Sequence, residues 1–344
     1  MKKYIEVTFI SILFFTFLIA CGQKEEKISL EEIDTEKLES VELKEENIDL
    51  VYKLKKGEKF RYRLTTLSSA SEKIQADSLI HSTSDQKVIY EFDIEVIDVE
   101  DDKTSELSVT ISSLKLSAEM NREKIEYDAN TEQSEEDKYK FAQYSAIHKI
   151  PYRARLTQYG DILEVTRLDK MVDKLMSLQP QQQTLSAEQK SEIAKNIAEG
   201  AIRPITQLVF RNLPQTPVAK DSSWVRSYPA QLSVFNVENI ATFIVEDFVK
   251  VNNDKAAKIS AKLTFKYEGQ KKGEQEGMKY SFDDPILGGG GSILFNIDKG
   301  MLLRSETNTS VEMKATIETK DAMQKAQKIV RTDISKNKNV VELL

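Results

Sequence analysis

One cysteine, two histidines and one tryptophan are all that 344 residues offer of those types. A single thiol, Cys21, closes no intramolecular disulfide and makes neither a CxxC redox pair nor a thiolate metal site. The two histidines, His81 and His148, stand in no HxxxH or HExxH context. No GxSxG occurs, no SxxK has a plausible partner set, and scattered Asp and Glu pairs nominate no glycosidase carboxylates. We therefore expect no enzyme, no cofactor and no metal site. After residue 20 no apolar run approaches membrane-spanning length. A broad basic field is missing too, since the net charge is −7, so no nucleic-acid partner is expected.

What is present begins with an address. Lys2 and Lys3 precede an apolar run from Val7 to Ala20, and the small residue Ala20 stands before Cys21. Charged start, short apolar run and small residue make residues 1–20 a secretory signal peptide. The tetrapeptide Leu18-Ile19-Ala20-Cys21 resembles the lipobox of bacterial lipoproteins. That resemblance implies cleavage before Cys21, diacylglycerol on its thiol and a fatty acyl group such as palmitate on the new N-terminus. The membrane would then be a partner through acyl chains, with a place in the cell envelope, at the outer membrane on its periplasmic or surface face. Residues 21–49 follow as an acidic flexible tether. From Gln23 to Asp49 there are eleven acids against four lysines, and no aromatic residue to anchor them. Gln23-Lys24-Glu25-Glu26 resembles a short acidic signal that sends lipoproteins of some diderm bacteria to the cell surface.

From Lys55 the pattern alternates with period two. A turn at Lys55–Lys59 leads into Phe60, Tyr62 and Leu64 on one face, with Arg61, Arg63 and Thr65 on the other. Strands are expected at 88–99, 107–116, 150–157 and 162–166, with Gly160 in a hairpin turn. Residues 50–167 form an N-terminal β repeat. The period then changes to helical over 168–214. Here Ser186 and Gln189 fit a capping box, and Pro204 suits a first helical turn. Residues 215–320 read as a C-terminal copy of the β repeat. Lys56–Phe60 lines up with Lys220–Trp224, and Val96–Lys103 with Phe248–Lys255. Leu107, Val109 and Ile111 line up with Ile259, Ala261 and Leu263, Tyr127-Asp128 with Phe282-Asp283, and the Gly160 hairpin with that at Gly300. Residues 321–344 are expected to be a C-terminal tail, frayed at its end and holding a short helix or a strand extension. The fold class is α+β, mainly antiparallel β: two pseudo-repeated curved sheets or an incomplete β-barrel, with two or three helices between the halves.

A Lys-x-Gly-x-x-Phe/Tyr strand start with Gly-centred hairpins resembles uncharacterised families of duplicated β-rich envelope lipoproteins, across most of residues 51–315. A curved sheet with a helical lid is also similar to open barrels that chaperone lipoproteins or lipids. That similarity implies a non-catalytic module for an apolar ligand or lipid, its groove lined by Met171, Val172, Leu175 and Met176. The same stripe equally closes a core. A surface structural or assembly lipoprotein docking an envelope protein is the alternative. Gly288–Gly291 reads as a flexible loop or bulge, and the acidic corner Asp98–Asp102 as a solvated hairpin tip.

Overall fold

The computed structural model describes residues 38–43, 47–178, 185–275, 278–320 and 326–344. The signal peptide, Cys21, Gln23–Glu26 and the Gln-rich break at 179–183 lie outside the described residues. The first half carries β1 (Lys59–Gln75), β2 (Leu79–Val99), β3 (Ser105–Met120), β4 (Glu123–Asp128), α1 (Glu135–Lys140), α2 (Ala142–Ile147), β5 (Tyr152–Leu156) and β6 (Ile162–Thr166). Then come α3 (Asp169–Ser177) and α4 (Ala187–Ile197), which runs through a π-helical turn (Ala198–Ile202) into α5 (Arg203–Val209). The second half carries β7 (Ser223–Leu232), β8 (Phe235–Val251), β9 (Asp254–Gly269), β10 (Lys272–Gln275), β11 (Met278–Phe282), β12 (Ile286–Asn296), β13 (Met301–Lys320) and β14 (Ala326–Leu343).

All fourteen strands join one antiparallel sheet, with the path β6-β5-β3-β2-β1-β14-β13-β12-β9-β8-β7. β4 hangs on β3, and the β10–β11 hairpin on β13. The path ends at β6 and β7, so the sheet stays open. The α+β class with a mainly antiparallel, incompletely closed sheet is as expected, except that the two halves share a single sheet.

Three departures from the sequence reading have local causes. Residues 326–343 form no tail: β14 pairs with β1 on one side and β13 on the other. Its stretch Thr332–Asn339 is polar but for Ile334, so the strand is held by its ladders more than by apolar alternation. Part of the tether, residues 38–43, is docked on β8. β7 pairs with β8 only as far as Ile244, leaving the outer edge of 247–251 bare. Val41 N–H donates to Phe248 O (2.8 Å) and Lys250 N–H to Glu39 O (2.9 Å), covering that edge. Finally, Gly288–Gly291 is no loop but the middle of β12, paired along its length with β13.

Core chemistry changes along the strands. One rung runs Leu64–Val341–Ser305–Ile293–Ile259–Val245, and every member is buried. The next on the same face runs Thr66–Asn339–Thr307–Gly291–Ala261–Phe243, and a third Ser68–Asn337–Thr309–Gly289. Apolar bulk thus gives way to small and polar groups. The helices sit over the apolar end. Phe210 and Leu213 are fully buried there, and Tyr152 Oη lies 2.7 Å from Thr206 Oγ1 on α5.

The two halves carry matching details. Gly57 N–H donates to Val96 O and Val96 N–H to Glu58 O; Asp221 N–H donates to Val245 O and Val245 N–H to Ser222 O. Register shifts follow Val96 and Val245, and Lys56–Asp98 (3.0 Å) has a counterpart in Lys220–Asp247 (3.1 Å). The β5–β6 and β12–β13 hairpins each shift register, at Arg155/Leu156 and at Leu294/Phe295. In these bonds Val245 takes the same place as Val96, three residues before the Phe248 set against Val96 in the sequence alignment. Tyr127 and Phe282 do not correspond, since β4 pairs with β3 and β11 with β13.

Candidate ligand-binding site

Where the helices stop covering the sheet, a hollow of about 310 Å³ opens between the end of α5 and the sheet. Its wall is mainly apolar: Leu208 from the helix, Ala241 and Phe243 from β8, Leu263 from β9 and Ile293 from β12. α5 is fixed above it. Thr206 Oγ1 donates to Ile202 O (2.6 Å), and Gln207 Nε2 donates to Gly160 O (2.8 Å) and Phe210 O (2.7 Å). Gly160 takes φ +86°, and a Cβ there would lie 2.1 Å from Arg211 O, so only glycine lets the hairpin meet the helix end.

On the sheet side β12 lends Gly290, Ser292 and Ile293 to the lining. A Cβ at Gly291 would lie 2.2 Å from Glu306 O, and one at Gly290 would lie 2.8 Å from Ala261 O. The glycine run thus lets β12 coil closely between β9 and β13 while contributing no bulk to the hollow.

Arg211, just after α5, is the polar feature of this wall. Its Nε–H donates to Ser305 Oγ (2.8 Å), while its Nη2 is sealed from solvent and has no hydrogen-bond partner among the described residues. Burial pushes the guanidinium down to about 10, with no carboxylate in ion-pair range among the described residues. Glu306 also lines the hollow, but Lys338 (2.7 Å) and Arg304 (3.7 Å) hold it. A larger, polar trough of about 980 Å³ adjoins, lined by groups such as Ser68, Gln86 and Asn337. The two share Asn308 and Thr309.

The residues nominated from sequence sit elsewhere. Met171 and Val172 are fully buried in α3, and Leu175 and Met176 are half-buried; none of the four lines either hollow. Cys21 lies outside the described residues. His148 caps α2 with Nε2 3.3 Å from Ser112 O, and His81 is exposed on β2 beside Ser71. In the acidic corner Asp98 pairs with Lys56, Glu100 with Arg155 (2.7 Å), and Asp102 Oδ1 accepts from Thr104 N–H. Among the described residues no group of three His, Cys, Asp or Glu side chains is placed to hold a metal ion. Arg211 escaped sequence reasoning because an arginine between Phe210 and Asn212 carries no motif.

No curated protein matches the sequence. Among solved structures, lipovitellin is similar at TM-score 0.41 and 10% identity, over 84% of this chain and 25% of that one. The chain thus spans a quarter of lipovitellin's length. An outer membrane channel from Pseudomonas putida F1 is similar at TM-score 0.15 and 11% identity, over 88% of this chain and 100% of that one. OpdK of Pseudomonas aeruginosa, crystallised with vanillate, is similar at TM-score 0.16 and 7% identity, covering 80% and 98%. A family model described as a family of unknown function (DUF6263) matches residues 102–302.

Proposed function

The chain belongs to DUF6263, a family of unknown function, and from its geometry we propose a non-catalytic binding module that holds an apolar ligand under α5. One observation carries this reading. An apolar hollow of about 310 Å³ lies between helix and sheet, at the lower end of the ~300–1000 Å³ usual for small-molecule sites. The adjoining polar trough gives a route in from solvent.

The module is lipid-anchored in this reading. Cys21 carries the acyl chains, and the folded body works at the envelope, at the outer membrane. The paired turns, register shifts and Lys–Asp bridges of the two halves support an internal duplication, in which β14 is an addition that stitches one copy to the other.

Native mass spectrometry of protein purified from the envelope tests the ligand. A discrete added mass that organic solvent removes supports the module; a bare mass with no uptake of fatty acid or phospholipid counts against it. Labelling cells with a palmitate analogue tests the anchor. Label should enter the protein and be lost in Cys21→Ser; equal labelling of both would refute acylation there.

A further inference from the structure

We propose that the hollow under α5 is built for an anionic single-chain lipid, the carboxylate of a fatty acid sitting on Arg211 and its chain on Leu208, Ala241, Phe243, Leu263 and Ile293. The proposal deepens, and rests on, the reading that this hollow takes an apolar ligand.

The charge comes first. A guanidinium offers five N–H donors and stays protonated in proteins. At Arg211 only Nε–H is matched to a side-chain acceptor among the described residues, Ser305 Oγ, and Nη2 is both unpartnered and sealed from water. Buried charges are ordinarily paired, because an uncompensated ion in a low-dielectric setting is costly. Here the pairing is not supplied from within. Glu306, which alternates with Ser305 and Thr307 along β13, has its carboxylate engaged by Lys338 and Arg304. Arg211 is thus a cation left over in the buried wall of an apolar hollow. Burial lowers it to about 10, which leaves it charged at neutral pH, and an anion placed on it would raise it again.

The wall decides the rest. A small inorganic anion would satisfy Arg211 and leave the apolar surface wet. A neutral alkane would cover that surface and leave the guanidinium unpaired. A carboxylate on an alkyl chain does both, with charge-assisted hydrogen bonds at the head and burial along the tail. The modest volume suits one chain.

Calorimetric titration of the purified full chain with dodecanoate and with methyl dodecanoate tests this. The acid should bind at least about tenfold more tightly than its ester, as expected for charge-assisted contacts. Arg211→Gln should bring the acid down to the ester's affinity and leave the ester unchanged. Equal binding of acid and ester by the unaltered protein overturns the proposal while leaving the apolar module standing, and so does an unchanged acid affinity in R211Q. Binding of neither overturns both. The acid–ester comparison needs no variant, so it decides the matter even if R211Q does not fold.

Discussion

The backbone N–H of Arg211 donates to the phenol oxygen of Tyr52 at 2.9 Å, tying the end of α5 to the segment that leads into β1. Tyr52 is buried and makes edge-on contacts with Phe210 (5.6 Å) and Phe295 (5.3 Å). Tyr52→Phe keeps the rings and removes the acceptor. Stranding a buried N–H costs about 1–3 kcal/mol. Urea denaturation should show a loss of that size with an unchanged slope; no loss would mean that another acceptor takes over.

Gly291 and Gly200 should respond oppositely to alanine. At Gly291 the added Cβ meets Glu306 O at 2.2 Å, whereas at Gly200 nothing lies within 4 Å. Overpacking of this kind costs about 1–3 kcal/mol or more. Gly200→Ala in the helical segment should gain up to about 1 kcal/mol. Thermal melts of the two variants against the parent check both signs.

His148 makes stability depend on pH. Burial lowers its pKa below the ordinary 6.5, against the raising effect of its contact with Ser112 O. The unfolded chain therefore takes up the proton first. Stability is full above the ordinary histidine range and falls as pH drops through 6.5 toward the lowered folded value. Asp247 and Asp254 are lowered by their hydrogen bonds to Ser40 and Lys299, and they act in a more acidic window. Unfolding free energies between pH 7.5 and 5 should decline for the parent and stay flatter for His148→Asn. Parallel curves would count against this role.

Met171 separates core from site. It is fully buried in α3 and lines neither hollow. Met171→Ala should cost about 2–5 kcal/mol and leave the affinity of the folded protein for dodecanoate unchanged. A large fall in affinity at intact fold would return the α3 stripe to the binding site.

Period-two stretches such as Phe60–Thr65 announce strands because one face is apolar and one charged. Gly160 and the Ser186 capping box are legible because turn and cap chemistry is local. Long-range pairing is where sequence reading fails. Ser68–Lys73 and Thr332–Asn337 carry little hydrophobic signal, yet they lie in register as neighbours in the sheet. α1 buries none of its residues and so carries no apolar stripe to announce it, although Ser134 caps it through Asp137 N–H. Arg211 matters through Ser305 and Tyr52, partners that no spacing along the chain foretells. The α3 stripe looked like a groove lining because helical amphipathicity is the same whether the apolar face meets a ligand or a core.

The position of β14 sets the order in which this protein can be completed. Tyr62 pairs with Leu343 and Gln75 with Val330, so β1 has no neighbour on that side until residues 326–343 have emerged. Contacts of such long sequence separation form late and slow folding. A chain threaded through a membrane from its N-terminus would present β1 as a bare edge throughout its passage. β14 therefore acts as a latch: β1 stays unlocked on that side, and the sheet is secured only when residues 326–343 are in place between β1 and β13.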